Sequence, residues 1–328
     1  MSQTTAQTID RPRSNSVKFQ DPDWTAKGEP RASVPLARLE TLWFNTGTLC
    51  NIECKSCYIE SSPSNDRLVY LTRADVAPFL DEAKERGTRE IGFTGGEPFL
   101  NPDMLAILDD TLRAGFAVLL LTNAMRPLQR PKIQAGLLEL QERFGSKLTL
   151  RVSLDHYSKA LHEEERGANT WDSALAGLDW LSQNGFAIAI AGRTCWGESD
   201  DVSRAGYAQL ISDHGWPIDP SDREQLMLLP EMNDGADVPE ITTSCWRILN
   251  KRPVDMMCAT SRMVVKRRGA EAATVLPCTL ISYDERFDMG PTLADSEASD
   301  GGMFDQGSVK LCHVHCAKFC VLGGGSCS

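Results

Sequence analysis

Six short apolar segments, each followed by a longer segment of helical periodicity, run through most of the chain after residue 35. The apolar segments cover residues 41–44, 90–93, 117–122, 148–154, 187–192 and 226–230. Strands that are apolar along their length and alternate with helices are typical of a mostly parallel sheet. The pattern therefore predicts an α/β fold of six βα units, with ligands bound at the carboxyl ends of the strands.

Two helices of this array carry boundary signals. Thr72 and Asp75 form the pattern of a capping box at the start of the first helix, and Gly87 ends that helix. Thr170 is the predicted N-cap of a later amphipathic helix, which Gly185 ends. Both helices lie between predicted strands, as βα units require.

Composition excludes several classes of protein. The chain has 328 residues, 41% hydrophobic and 24% charged, which is ordinary for about two globular domains. Its apolar runs are far shorter than the ~18–20 residues that cross a bilayer. The net charge of −11 argues against a nucleic-acid partner, although residues 266–268 form a short basic patch. The first 34 residues contain no apolar signal segment, so we expect a cytoplasmic protein with reduced cysteines.

The pattern divides the chain into three parts. We expect residues 1–34 to be a flexible tail, residues 35–232 to form the βα array, and residues 233–328 to form a second, small domain. The last part holds seven of the eleven cysteines: Cys245, Cys258, Cys278, Cys312, Cys316, Cys320 and Cys327. A segment this small would gain folding free energy from bound metal clusters.

Three further cysteines, Cys50, Cys54 and Cys57, lie within eight residues just after the first predicted strand. Three thiolates at this spacing can bind three irons of one cluster and leave one metal position without a protein ligand, as a site that binds substrate directly requires. The alternative is a zinc site completed by a distant Cys or His.

With these cysteines and the Gly95-Gly96-Glu97-Pro98 segment after the second strand, the sequence resembles the radical SAM superfamily. The resemblance implies a partial (β/α)₆ barrel in which Cys50, Cys54 and Cys57 hold a [4Fe–4S] cluster that binds S-adenosylmethionine. The glycine segment, including Pro98, would bind the amino group of that cofactor through backbone carbonyls and the Glu97 carboxylate. An ammonium group needs oxygen acceptors, and glycines allow the backbone to approach it closely.

Polar residues end the third and fourth strands, and these too match the superfamily pattern. By resemblance, Thr122, Asn123, Ser153 and Arg166 are candidates to bind the ribose hydroxyls and carboxylate of the nucleoside cofactor. Alternatively, Asn123 is a turn residue, and residues 162–166 form a solvated helix face on which Arg166 pairs with a nearby Glu. The superfamily usually has an aromatic residue before the third cysteine, where this chain has Ser56; Tyr58 or another side chain would then contact the adenine.

The C-terminal cysteines resemble a SPASM or twitch domain, the auxiliary iron–sulfur extension of this superfamily. The resemblance implies one or two auxiliary [4Fe–4S] clusters held by Cys258, Cys278, Cys312, Cys316, Cys320 and Cys327, with Cys245 as a further candidate. Zinc is the alternative, because His313 and His315 stand between Cys312 and Cys316.

If the resemblance holds, one electron from a donor such as flavodoxin or ferredoxin cleaves S-adenosylmethionine to a 5′-deoxyadenosyl radical. That radical abstracts a hydrogen atom from a small-molecule or peptide substrate, giving a net oxidation or a new carbon–heteroatom or carbon–carbon bond. Asp155 and Cys195, near strand ends, are candidate substrate-side groups, although a lone cysteine is usually a packed thiol. The competing hypotheses are an iron–sulfur electron carrier and a zinc-binding interaction protein.

Overall fold

The structure, a computed structural model, describes residues 17–230 and 237–323. These residues form a large, mostly parallel sheet that closes part of a barrel, and a small antiparallel sheet. The predicted domain boundary at residue 232 and the predicted ligand Cys327 lie outside the described residues.

The elements follow one another in βα order through the first two thirds of the chain. The strands are β1 (Ser33–Val34), β2 (Thr41–Asn45), β3 (Glu90–Thr94), β4 (Ala117–Thr122), β5 (Leu148–Ser153), β6 (Ala187–Arg193), β7 (Leu226–Leu229), β8 (Ser261–Val265), β9 (Thr274–Leu276), β10 (Phe304–Asp305) and β11 (Ser308–Lys310). The α-helices are α1 (Arg73–Glu85), α2 (Met104–Arg113), α3 (Pro131–Phe144), α4 (Lys159–Arg166), α5 (Trp171–Gln183), α6 (Asp200–His214), α7 (Cys245–Ile248) and α8 (Leu293–Ala298), and a π-helix spans Cys316–Leu322.

The main sheet has the order β7-β6-β5-β4-β3-β2-β8-β9. All neighbouring strands from β7 to β8 are parallel, and β9 is antiparallel to β8. The six predicted strands are β2 to β7, each ending within one residue of its predicted bounds. The prediction of a parallel α/β sheet is confirmed, and the carboxyl ends of these strands meet at one edge.

Both faces of the sheet are packed with apolar side chains. On the helix side, Phe44 of β2 stacks on Phe93 of β3 and meets Phe79 of α1 edge-on, with ring centroids 5.6 and 6.2 Å apart. On the other side, Trp43 is fully buried above Gly92, where an added Cβ would lie 2.4 Å from the indole. Glycine at position 92 therefore makes room for the tryptophan that fills the barrel interior.

The helix boundary signals gave one correct prediction and one partly wrong one. The Thr72 hydroxyl accepts from the Asp75 backbone N–H, and the Asp75 carboxylate accepts from the Thr72 N–H, which completes the predicted capping box. Thr170 does precede α5, but its hydroxyl donates to the Gly167 carbonyl at 2.6 Å instead of capping the helix.

The expectation of a flexible N-terminal tail is wrong for residues 17–34. Strand β1 pairs with β11 near the C-terminus, and Arg31 is buried. The guanidinium of Arg31 donates to the Glu240 carboxylate at 2.6 Å and to the carbonyls of Asp21, Trp24 and Leu311. The sequence of this polar segment gave no sign of the docking, because Glu240, Leu311 and β11 lie more than 200 residues away in the chain.

The C-terminal part also contributes to the barrel. Strands β8 and β9 extend the main sheet beyond β2, so the sheet crosses the predicted boundary between the two domains. The basic patch follows β8, and each of its side chains pairs with an aspartate: Lys266 with Asp75, Arg267 with Asp288 and Arg268 with Asp66. Of the helices in the described ranges, none combines the length and apolar character of a bilayer span.

We expect Arg31→Ala to loosen the docking of residues 17–34, because it leaves the Glu240 carboxylate buried without its cation, a change that costs about 3–5 kcal/mol. Hydrogen exchange followed by mass spectrometry should show the amides of Arg31 and Ala32, which bond to Asp23 and Ile241, exchanging at least about tenfold faster. Arg38→Ala, which removes an exposed partner of Glu40, is the control and should leave these amides protected. Unchanged exchange in Arg31→Ala would contradict the docking described here.

Candidate active site

The three clustered cysteines lie in the wall of a cavity at the carboxyl ends of the barrel strands. The lining combines the cysteine loop with residues from every strand end between β3 and β7 and from the C-terminal part of the chain. It consists of Cys50, Ile52, Cys54, Cys57, Tyr58, Ile59, Ser61, Thr94, Gly95, Gly96, Leu121, Thr122, Asn123, Arg151, Ser153, Asp155, Arg166, Ala191, Gly192, Arg193, Met227, Leu229, Leu280 and Phe319.

The glycine turn after β3 packs directly on the cysteine loop. The N–H of Gly96 donates to the Gly47 carbonyl at 2.8 Å, and the N–H of Glu97 donates to the Leu49 carbonyl at 3.1 Å. A Cβ on Gly96 would lie 2.1 Å from the Leu49 oxygen, so no side chain fits there. The two sequence features singled out above are therefore parts of one backbone arrangement.

Two thiols of this loop, those of Cys50 and Cys54, lie in poorly solvated surroundings. Burial raises the pKa of Cys50 to about 12, and burial also raises the pKa of Cys54, against the opposing effect of Arg166. Such groups remain protonated unless a cation stabilises the thiolate, and a bound metal supplies that charge. Among the described lining residues there is no fourth cysteine and no histidine.

Glu97 is placed differently from the expectation. Neither Glu97 nor Pro98 belongs to the cavity lining. The buried Glu97 carboxylate accepts the Thr122 hydroxyl at 2.9 Å and the Asn123 N–H at 2.9 Å, and burial raises its pKa to about 7. Glu97 thus lies behind the wall and fixes Thr122 and Asn123, which do line the cavity.

Arg166 and Asp155 meet in the cavity wall as a buried ion pair. Arg166 donates to both Asp155 oxygens, at 2.6 and 3.1 Å, and Arg193 approaches the same carboxylate at 3.3 Å. Burial alone would raise the pKa of Asp155, but the two arginines outweigh it and hold this pKa below its usual range. The alternative that Arg166 pairs with a nearby Glu on a solvated helix face is wrong, because its partner is Asp155 and both residues are buried in the cavity wall.

Ser56 takes part in the same polar network. Its N–H and hydroxyl donate to the Glu165 carboxylate at 2.8 and 2.6 Å, and Arg193 donates to the Ser56 hydroxyl at 2.5 Å. The position that is usually aromatic therefore joins the cysteine loop to α4 and β6. Tyr58, one residue past the third cysteine, is the aromatic residue of this loop that lines the cavity.

Several lining residues were missed by sequence reasoning. Gly192 is the last residue of the fifth predicted strand and Arg193 follows it. Their position at the carboxyl end of a strand could therefore have predicted that they line the cavity. Leu280 and Phe319 come from the C-terminal part, and no local pattern places them at the barrel mouth. Cys195, a predicted substrate-side candidate, is half-buried and does not belong to the lining.

A second pocket brings together four of the predicted C-terminal cysteines, Cys258, Cys278, Cys316 and Cys320. Two of them, Cys316 and Cys320, come from the π-helix, a geometry often found at functional sites. His315 lines the same pocket, and the rest of its wall is apolar: Met256, Pro277, Leu280, Ile281, Val309 and Leu311. Burial raises the pKa of Cys258 to about 11. Leu280 belongs to the linings of both cavities.

Two further predicted ligands lie apart from these four. The buried Cys312 thiol contacts the Asp21 carbonyl at 3.3 Å, and Cys245 lies against Thr242. Within the ranges 17–230 and 237–323, no three His, Cys, Asp or Glu side chains are arranged around a single metal ion. Among the described residues, Cys312, His313, His315 and Cys316 thus do not show the preformed arrangement of the zinc site considered for them.

Comparison with known proteins agrees with this geometry. Residues 44–195 match the model of the radical SAM superfamily, so this segment of the chain is identified as a radical SAM domain. Proteins of that superfamily use a [4Fe–4S] cluster and S-adenosylmethionine as cofactors.

Curated relatives match over part of their length. The subtilosin biosynthesis protein AlbA of Bacillus subtilis (strain 168) is 29% identical over 43% of this chain and 30% of its own length. The AdoMet-dependent heme synthase of Methanosarcina barkeri is 30% identical over 43% of the chain and 38% of the relative. The mycofactocin maturase MftC of Mycobacterium ulcerans is 27% identical over 58% of this chain and 47% of its own length. The matches thus span less than half of each relative.

Solved structures share the fold. Streptococcus suis SuiB bound to S-adenosylmethionine superposes with a TM-score of 0.60 at 15% identity, over 81% of this chain and 67% of that one. The protein anSMEcpe with bound AdoMet superposes with a TM-score of 0.56 at 14% identity, over 79% of this chain and 77% of that one.

The residues of the first cavity fit a [4Fe–4S] cluster with one open iron. Three thiols face the same space, the described lining has no fourth cysteine and no histidine, and the glycines at 95 and 96 place no side chain against the cysteine loop. The Ser61 hydroxyl, buried in this wall, has no partner in the described chain, as expected where a bound group supplies one.

We expect Gly96→Ala to disrupt the cysteine loop, because its Cβ would push against the Leu49 backbone oxygen 2.1 Å away. Equilibrium dialysis of the reconstituted protein should show S-adenosylmethionine binding weakened by at least about tenfold, or about 1.4 kcal/mol. Gly136→Ala is the matched control, because its Cβ meets only the flexible end of Leu105 on the barrel exterior. Equal affinity in Gly96→Ala and the wild type would contradict this account of the glycine turn.

Proposed function

We propose that this protein is a radical SAM enzyme that abstracts a hydrogen atom from a peptide or small-molecule substrate in the first cavity. Cys50, Cys54 and Cys57 would hold the cluster. The observation that carries the proposal is that these three thiols face one cavity beside a glycine turn, with no fourth described ligand.

A cluster held by Cys50, Cys54 and Cys57 would supply the electron for reductive cleavage of S-adenosylmethionine, the chemistry on which hydrogen abstraction depends. The protein's own residues bind, orient and shield the reactants. Gly95 and Gly96 would present backbone oxygens to the cofactor's amino group, with Glu97 and Pro98 supporting the turn from behind. Thr122, Asn123, Ser153 and Arg166 would bind the ribose and carboxylate, since all four line the cavity.

Glu97 acts in this proposal as a positioning residue. Its carboxylate accepts hydrogen bonds from Thr122 and Asn123, so it fixes the two polar residues at the end of β4 against the glycine turn. Asp155 would likewise position Arg166 and Arg193 at the cavity wall instead of contacting substrate freely.

The substrate side of the cavity has two kinds of wall. Arg166 and Arg193 contribute guanidinium groups to the lining, and Tyr58, Leu280 and Phe319 contribute apolar surface. A peptide substrate is supported by the names of AlbA, a bacteriocin biosynthesis protein, and of the maturase MftC. A small molecule is supported by the heme synthase relative. The reaction would be a net oxidation or bond formation, with a flavodoxin or ferredoxin as electron donor in the cytoplasm.

The second pocket would hold an auxiliary [4Fe–4S] cluster. Cys258, Cys278, Cys316 and Cys320 make a complete set of four thiols in one apolar pocket. Cys245, Cys312 and Cys327 would be the ligands available for a second auxiliary cluster. We propose residues 35–232 as the radical SAM part and residues 233–328 as the auxiliary-cluster part, joined through the shared sheet.

We expect the anaerobically reconstituted protein, given dithionite and S-adenosylmethionine, to form 5′-deoxyadenosine, measured by mass spectrometry. The Cys50→Ala/Cys54→Ala/Cys57→Ala variant should form none above background, because it loses every ligand of the first cluster. Cys195→Ala, which changes a thiol outside the lining, is the control and should keep wild-type formation. A wild-type protein that holds iron but forms no product, even with candidate substrates, would favour an electron carrier instead.

We expect Cys278→Ala/Cys320→Ala to lose about four iron atoms per chain relative to wild type, because two of the four thiols of the second pocket are removed. Iron and sulfide assays on the reconstituted proteins measure the difference. Unchanged iron content in this variant would show that the second pocket holds no cluster.

A further inference from the structure

We propose that the Ser61 hydroxyl donates a hydrogen bond to a sulfur atom of the first cluster and thereby tunes its reduction potential. The proposal rests on the proposed function, since it requires a cluster at Cys50, Cys54 and Cys57. Ser61 would thus tune the cluster, although no sequence pattern described above singles out this loop residue.

A tight turn brings Ser61 back to the third cysteine. The N–H of Glu60 donates to the Cys57 carbonyl at 2.8 Å, and Glu60 has a φ of +51°, in the left-handed region. The turn directs the Ser61 N–H to the Cys57 sulfur, at 3.4 Å. Ser61 therefore already contacts one cluster ligand through its backbone.

The loop around Ser61 is fixed from several directions. The Cys50 N–H donates to the Ser62 carbonyl at 3.0 Å, which joins the two ends of the cysteine loop. The Asn65 amide donates to the Glu60 carbonyl at 2.7 Å, and the Tyr283 hydroxyl donates to the Ile59 carbonyl at 2.7 Å. Because its neighbours are held in this way, Ser61 cannot turn toward solvent to satisfy its hydroxyl.

The Ser61 side chain is the part of this turn that lacks a partner. Ser61 is 4% exposed and lines the first cavity, and its Oγ has no hydrogen-bond partner in the described chain. Buried hydroxyls are almost always hydrogen-bonded, so a group bound in the cavity must supply the acceptor. Cluster sulfurs are anionic acceptors beside Cys57, and hydrogen bonds to them favour the reduced, more negative state.

The test is a redox titration of the reconstituted full chain, with the first cluster identified by the electron paramagnetic resonance signal that changes when S-adenosylmethionine is added. Without S-adenosylmethionine, we expect Ser61→Ala to disfavour the reduced state by about tenfold, a shift of about 59 mV to more negative potential for one electron. Ser61→Thr keeps the hydroxyl and should restore the wild-type potential.

Ser62→Ala is the matched control, because the Ser62 hydroxyl accepts from the N–H groups of Ser64 and Asn65 and so supports the same loop. An equal shift in Ser62→Ala would assign the effect to loop structure and overturn the proposal. An unchanged potential in Ser61→Ala with weaker S-adenosylmethionine binding would assign the hydroxyl to that cofactor and also overturn it. If the wild type shows no such signal, the proposed function itself fails, which is a different result from an unshifted potential.

Discussion

The backbone contact between the cysteine loop and the glycine turn is the constraint on which the first cavity depends. Parallel pairing of β2 with β3 places the two loops side by side, with Asn45 opposite Thr94 at the strand ends. From there, the Gly96 and Glu97 N–H groups bond to carbonyls of the cysteine loop, at a separation that only glycine allows. The register of one strand pair thus decides where the three thiols lie relative to the glycine turn.

Much of the barrel could be predicted from the sequence because its signals are local. Apolar runs predicted β2 to β7 to within one residue, since most residues of these strands are buried or half-buried. Strands β8 and β9 and the docking of Arg31 could not be predicted in this way. Their partners are distant in sequence, and a short strand such as Thr274–Leu276 has no periodicity long enough to read.

In the site, too, residues that belong to local motifs could be predicted from the sequence, whereas residues placed by contacts distant in sequence could not. Residue types and spacing identified Cys50, Cys54, Cys57, Gly95 and Gly96, all of which line the cavity. The direction in which a side chain points was harder to predict from sequence. The Glu97 carboxylate, for example, accepts hydrogen bonds from Thr122 and Asn123 behind the cavity wall. The roles of Ser56 and Arg193 depend on contacts between elements more than 100 residues apart, and pattern reasoning within one element cannot supply such contacts.

Leu280 belongs to the walls of both cysteine-lined cavities, so folding of the C-terminal pocket also completes the wall of the first cavity. A chain whose C-terminal pocket has not yet folded around its four cysteines presents a barrel mouth that lacks Leu280 and Phe319. Such a chain leaves its first cavity open to water and oxygen on that side. Assembly of the C-terminal pocket is therefore a step in closing the first cavity, independent of any role in electron transfer.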